Sequence, residues 1–158
     1  MSAKNYQEAY VYAIRYCSIA EHCKSEILEK VEKFELDKEE SILLIFKLEE
    51  ENFLNEERYT NAFVHDKIYI NKWGKQKIRY ALHQKGLSQN TVANALSNID
   101  YSHYSKNLLE LLTQKKKSTR SASVFELNAK LSRFAYSRGY ESDLIRTTLN
   151  KLGLTVDE

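Results

Sequence analysis

The chain has 158 residues, 42% hydrophobic and 29% charged, a balance that suits one folded domain or a short array burying roughly 70% of its unfolded surface. Proline is absent and glycine occurs four times, too few turn residues for a sandwich or barrel. The net charge of +2 hides an asymmetry: Glu21 to Glu57 holds 13 acidic and 5 basic residues, Lys67 to Arg138 holds 14 basic and 3 acidic, so one part of the surface should carry a positive field.

Asn5, with Glu8 three residues later, is placed to cap a first helix carrying Tyr6, Ala9, Tyr10, Ala13, Ile14 and Cys17 at helical spacing. Ala20, Cys23, Ile27, Val31 and Phe34 trace a second stripe. Asp37 and Glu40 open a third helix, with Ile42, Ile45, Phe46 and Leu48 expected on its inner side. These make a first unit, residues 1–54.

Asn55 opens the next helix, with Tyr59, Ala62, Phe63, Ile70 and Trp73 as its apolar positions. Gly74 interrupts. Ile78, Ala81 and Leu82 then mark a helix stopping at Gly86, a natural left-handed C-terminal residue, and Ser88 caps a third helix with Val92, Ala95, Leu96 and Ile99. Residues 55–100 form the second unit. The third, 101–158, begins with Tyr104, Leu108, Leu109, Leu111 and Leu112 and is expected to break into a loop at Lys115-Lys116-Lys117-Ser118-Thr119. Ser123 and Glu126 form a capping box for a helix ending at Gly139, and Leu144, Ile145, Leu149 and Leu152 mark the last helix.

Units two and three spell nearly the same pattern. Lys85-Gly86-Leu87 precedes Val92 and Leu96, and Arg138-Gly139-Tyr140, 53 residues on, precedes Ile145 and Leu149. A repeat of this length means one supersecondary unit used more than once. In unit one, Glu35 stands where the glycine would be. The sequence therefore predicts an all-α fold of nine helices, as three tandem three-helix units stacked into an elongated, curved array, since one trio alone has too little core to stand.

Catalytic constellations are missing. His22, His65, His83 and His103 fall in no zinc-binding spacing, and no phosphate loop or nucleophile elbow occurs, so neither catalysis nor a cofactor or metal is expected. Cys17 and Cys23 match neither a zinc knuckle nor a redox pair and are read as reduced packing residues. The longest apolar run, Ile42 to Phe46, is far short of a membrane span, and no signal-like N-terminus appears, which points to a cytoplasmic protein without membrane contact.

The basic stretch offers more. Lys67, Lys72, Lys75, Lys77, Arg79 and Lys85 include no acid among them, and Lys72, Lys75 and Arg79 share one helix face if the helix runs through Gly74. Either this is a solvated face balancing the acidic first unit, or it docks phosphates or an acidic protein. Trp73 at its edge reads as a core anchor, and Lys115 to Lys117 with Arg120 as a solvated linker. A second reading is a helix-turn-helix regulator, because Gly86-Leu87-Ser88-Gln89-Asn90-Thr91-Val92 looks like a turn and recognition helix. Against it, Leu82 occupies a position where such motifs place a small residue.

Phe63-Val64 followed by Lys67, then Trp73-Gly74-Lys75, Lys77-Ile78, Leu82, Lys85-Gly86 and Ala95-Leu96 resembles the central unit of the RecX family of recombination regulators. Lys130-Leu131, Arg133-Phe134 and Arg138-Gly139-Tyr140 resemble its last unit, and Cys17 through Ile27 its first. His65 stands where arginine is common and Tyr140 where phenylalanine is usual. The resemblance implies a non-catalytic, monomeric modulator of the RecA recombinase, built of tandem three-helix units that lie along the groove of the RecA–DNA filament. There it would meet single- or double-stranded DNA as part of the filament and restrain ATP hydrolysis, strand exchange and repressor co-cleavage. Lys67, Lys72, Lys75, Lys77, Arg79, Lys85 and Arg138 are the expected binding residues, acting as point charges or donors.

Overall fold

The computed structural model describes residues 3–156, and among them every regular element is helical. In chain order these are α1 (Ala3–Ile19), α2 (Lys24–Lys30), a 3-10 turn (Glu32–Phe34), α3 (Lys38–Glu50), α4 (Glu56–Tyr69) and α5 (Lys75–Gln84). They continue with α6 (Gln89–Ser97), α7 (Tyr101–Ser118), α8 (Val124–Ser137) and α9 (Ser142–Lys151). None is long and apolar enough to cross a membrane.

Local chemistry sets the helix starts. Asp37 accepts the Glu40 amide while Glu40 returns a bond to the Asp37 amide, a reciprocal cap that satisfies two otherwise orphaned donors. The Asn55, Ser88 and Ser123 side chains accept from Arg58, Thr91 and Glu126 amides in the same way. At Ser123 the box is only half reciprocal, because Glu126 accepts from Ala122 instead. Asn5, expected as a cap, lies inside α1, and its side-chain amide donates to the Phe34 carbonyl.

Helix stops follow the repeat. Gly86 and Gly139 both take positive φ, +84° and +95°, and the same bond closes each turn: Leu87 N–H to the Leu82 carbonyl, Tyr140 N–H to the Ala135 carbonyl. Glu35, the residue standing in the glycine's place, also lies in the left-handed region, at φ 53°. The backbone need is thus met there without glycine, at a cost of about 1 kcal/mol or more.

Contacts gather the chain into two compact units: the residues up to Phe63 with Leu82–Ala95, and Val64–Ala81 with the residues from Leu96 on. In the first, α1, α2, α3 and the 3-10 turn enclose Ala9, Ala13, Ile27, Val31, Leu44, Leu48 and Leu54. In the second, α7, α8 and α9 pack on one another around Tyr104, Leu108, Leu112, Leu131, Ala135 and Leu149.

Three expectations need correction. On α3 the inner line is Leu44 and Leu48, while Ile42 and Phe46 are each 61% exposed. A run of five apolar residues cannot all face inward at 3.6 residues per turn, and periodicity alone did not pick the face. On α4, Tyr59, Val64 and Ile68 are buried, but Ala62 and Ile70 are exposed. The loop expected at Lys115–Lys117 is instead the last turn of α7, where cations face the negative end of the helix dipole.

Candidate functional site

The site is organised by a backbone joint. The first N–H groups of any helix have no partner within it. At α5 they find partners elsewhere: Gly74 N–H donates to the Arg138 carbonyl at 2.7 Å and Gln76 N–H to the Gly139 carbonyl at 2.9 Å. Between them, Lys75 N–H donates to the Tyr104 hydroxyl at 2.8 Å. The positive end of α5 therefore sits on the negative end of α8, each supplying what the other lacks. Both residues at the contact must be glycine. A Cβ on Gly74 would lie 2.1 Å from the Gly139 carbonyl carbon, and one on Gly139 would lie 2.5 Å from the Lys77 Cβ.

Two buried tyrosines brace the joint. The Tyr104 hydroxyl donates to Glu141 Oε1 at 2.6 Å, and the Tyr140 hydroxyl donates to the Lys72 carbonyl at 2.7 Å. Their rings meet with centroids 5.2 Å apart. Burial pushes both phenols well above their ordinary pKa, aided at Tyr104 by the bond to Glu141, so they stay neutral donors at any working pH.

The joint carries Arg138 to the segment holding Lys75 and Lys77, more than 60 residues away in the chain. Lys67 and Lys77 both lie over the Trp73 ring, their ammoniums 4.5 and 4.4 Å from its centroid. Trp73 is half-buried, and this double cation–π contact holds two long side chains at one ring. Lys75 lies 5.3 Å from the Tyr104 centroid, and the Arg138 guanidinium 5.1 Å from that of Phe134, which Lys115 also covers at 4.9 Å. Arg79 is exposed and donates to Gln76.

Lys72 departs from the expected helix face. No helix runs through Gly74, Lys72 takes φ 56° in the link between α4 and α5, and its ammonium pairs with Glu110 at 3.0 Å. The lysine beside Glu110 is the first cause of that carboxyl's pKa lying below the ordinary range. Lys85 belongs to the first compact unit, where its ammonium pairs with Glu26 at 3.0 Å and its carbonyl accepts from Ser25. Six of the seven expected residues thus fall in the second unit, and Lys85 does not.

The pair at Glu26 gives a pH test. Burial alone would raise that carboxyl, but hydrogen bonds from Lys85, His22 and the Cys23 amide outweigh it and hold the pKa below the ordinary 4.5. A depressed carboxylate stabilises the fold above its ordinary pKa and loses that contribution as pH falls through the folded value. Lys85→Met is therefore expected to lower stability at neutral pH by on the order of 1 kcal/mol and to flatten the decline below pH 4.5, read by denaturant unfolding across the acid range. An acid limb unchanged by the substitution would remove Lys85 from this structural role.

Sequence models of two domains match the chain: the RecX second three-helix domain over residues 55–96 and the RecX third three-helix domain over residues 104–149. The chain belongs to the RecX family. A regulatory protein RecX of Clostridium botulinum (strain Alaska E43 / Type E3) is 34% identical over 138 residues, covering 85% of this chain and 64% of the relative. One from Bacillus mycoides (strain KBAB4) is 28% identical over 146 residues, covering 92% and 54%. The chain thus spans between about half and two thirds of the length of these curated relatives. Among solved structures, RecX from Lactobacillus salivarius aligns with TM-score 0.84 at 20% identity, over 98% of this chain and all of that one. A second crystal structure of regulatory protein RecX aligns with TM-score 0.85 at 19% identity, over 94% and 74%. Both show the RecX fold. The joint at Gly74 and Gly139 links residues of the two matched domains.

Proposed function

We propose that this RecX-family chain is a non-catalytic regulator that binds RecA filaments on DNA and down-regulates their recombinase, ATPase and co-protease activities, and so acts in DNA repair and SOS control. The family membership and the relatives named regulatory proteins support the regulatory part. One observation carries the binding part: Lys67 and Lys77 share the Trp73 ring, and the α5–α8 joint bonds the Arg138 backbone to the start of α5, the helix that holds Lys75 and Lys77. Cations held on rings and backbone lose less side-chain freedom on binding than solvated ones, so a polyanionic surface meets them with a smaller entropy penalty.

The N-terminus of α5 takes no phosphate in this reading, because its amides already serve Arg138, Tyr104 and Gly139. Side chains must make the contacts. Lys72 and Lys85 pair with Glu110 and Glu26; the binding set is Lys67 and Lys77 on the Trp73 ring with Lys75, Arg79 and Arg138. Filament retention measured by co-sedimentation is then expected to weaken with salt, log affinity against log salt falling at a slope of roughly −3 to −5 if these five meet phosphates. A slope near zero would replace phosphate contacts with apolar or uncharged ones.

The helix-turn-helix alternative is weaker on physical grounds. Helix α6, led by Ser88, contains no charged residue, so the recognition element itself has nothing to neutralise phosphates flanking a read base. A footprint at one defined sequence on random duplexes would favour that alternative over filament binding.

A further inference from the structure

Two exposed aromatic rings mark a second feature of the same compact unit. Tyr80 on α5 is 68% exposed and Tyr136 on α8 is 70% exposed, and both line one cleft beside the Gly74–Gly139 joint, of about 640 Å³. Gln76, Lys77, Ser137 and Glu141 complete its walls. A volume of that size lies in the usual range for clefts that hold a flat organic group. Glu141, the one acid there, is committed to the buried Tyr104 hydroxyl. Past Tyr136 and Ser137 the cleft continues into a groove between α8 and α9, of about 770 Å³, bordered by Arg133 and by Arg146, which pairs with Asp143 at 3.3 Å.

Flat rings at the wall of a cation-bordered channel suit a chain that is anionic along its backbone and carries flat faces at intervals. We propose that this cleft is a stacking site for single-stranded nucleic acid, with Tyr80 and Tyr136 receiving unpaired bases and Lys77 and Arg133 following the phosphates. Duplex DNA keeps its bases stacked on one another and offers the rings nothing without unstacking, which costs a few kcal/mol per step. The choice of ligand is thus set by the tyrosines, and its sign by Arg133 and Lys77. This deepens the filament reading by assigning which form of DNA the protein touches, yet it concerns binding by the protein alone.

The test is fluorescence anisotropy of labelled oligothymidylate, about 20 nucleotides long, with the full chain at low salt and no RecA present. Tyr80→Ala and Tyr136→Ala are each expected to weaken binding by about tenfold, whereas Tyr80→Phe and Tyr136→Phe, which keep the π face, bind as the unaltered protein does. The salt slope should stay the same in all four, because no phosphate contact is removed. Phe125→Ala, at another exposed ring of α8, should change nothing. Since both tyrosines are exposed, the variants are expected to retain the helical circular dichroism of the parent. Wild-type affinity in the alanine variants, loss in the phenylalanine variants equal to that in alanine, tighter binding of a duplex of the same length, or no binding of oligothymidylate would each overturn the proposal. If the protein failed to bind oligothymidylate yet still inhibited RecA, the cleft assignment would fall and the filament reading would stand.

Discussion

Replacing Gly139 with alanine is expected to lower the unfolding free energy by about 3 kcal/mol or more. Two costs combine. The residue holds φ +95°, which penalises a side chain by roughly 1–2 kcal/mol, and the new Cβ would press on backbone and Cβ atoms of Lys77 at 2.5 Å. Those atoms belong to α5 itself, so the strain cannot escape by a rotamer change, and overpacking of this kind costs roughly 1–3 kcal/mol. Gly74→Ala meets the Gly139 carbonyl carbon at 2.1 Å and should lose a similar amount. Gly86→Ala is the control: its φ is +84°, but nothing lies within 4 Å of the added Cβ, so only the backbone penalty of roughly 1–2 kcal/mol should go. In denaturant unfolding the order should be Gly139 and Gly74 well above Gly86. For a chain of this length a 3 kcal/mol loss is a fall in Tm of roughly 6–12 °C. Three equal losses would mean that the joint is not the tight contact described.

Reversing Lys67 and Lys77 together to glutamate is expected to raise the concentration needed to inhibit RecA about a hundredfold or more. Each lysine is held on the Trp73 ring, and each charge-assisted contact to a partner is worth roughly 1.5–3 kcal/mol, so two lost contacts multiply. Reversal also replaces attraction with repulsion at a site that Arg79 and Arg138 otherwise keep positive. Lys38→Glu, at an exposed position in the first turn of α3 among acidic neighbours, should leave inhibition unchanged. Lys85→Glu should act differently again, by placing a second carboxylate against Glu26 and lowering stability more than inhibition. Equal loss of inhibition at Lys38 and at the Lys67–Lys77 pair would refute the assignment of the patch.

What could be read from the chain was whatever depends on near neighbours. Asp37, Asn55, Ser88 and Ser123 cap helices because a short oxygen can reach an amide three residues ahead, and that spacing is visible in the letters. The helix stops at Gly86 and Gly139 followed from glycines repeating 53 residues apart, whereas the left-handed turn at Glu35 could not be read from a residue that rarely adopts it. The cations of the site were legible as residue types. Their company was not. Nothing near Gly74 announces that its amide will serve Arg138, because that bond spans 64 residues and depends on how α8 ends. Glu26 and Glu110 claim Lys85 and Lys72 across 59 and 38 residues, pairings that spacing alone does not show. The exposed positions of Ile42 and Phe46 escaped for another reason: an unbroken apolar run has no phase. Tyr80 and Tyr136 passed unnoticed because each sits off its helix's apolar stripe, a sign that gains meaning only when two such rings meet in one cleft.

A cation cluster held by Trp73 and the α5–α8 joint is expected to restrain a polymeric recombinase on DNA. The most direct measurement is the rate of ATP hydrolysis by RecA on single-stranded DNA, with this protein added at ratios well below one per RecA subunit. Inhibition is expected at those ratios, relieved as salt rises. Undiminished hydrolysis with this protein in saturating excess would contradict it.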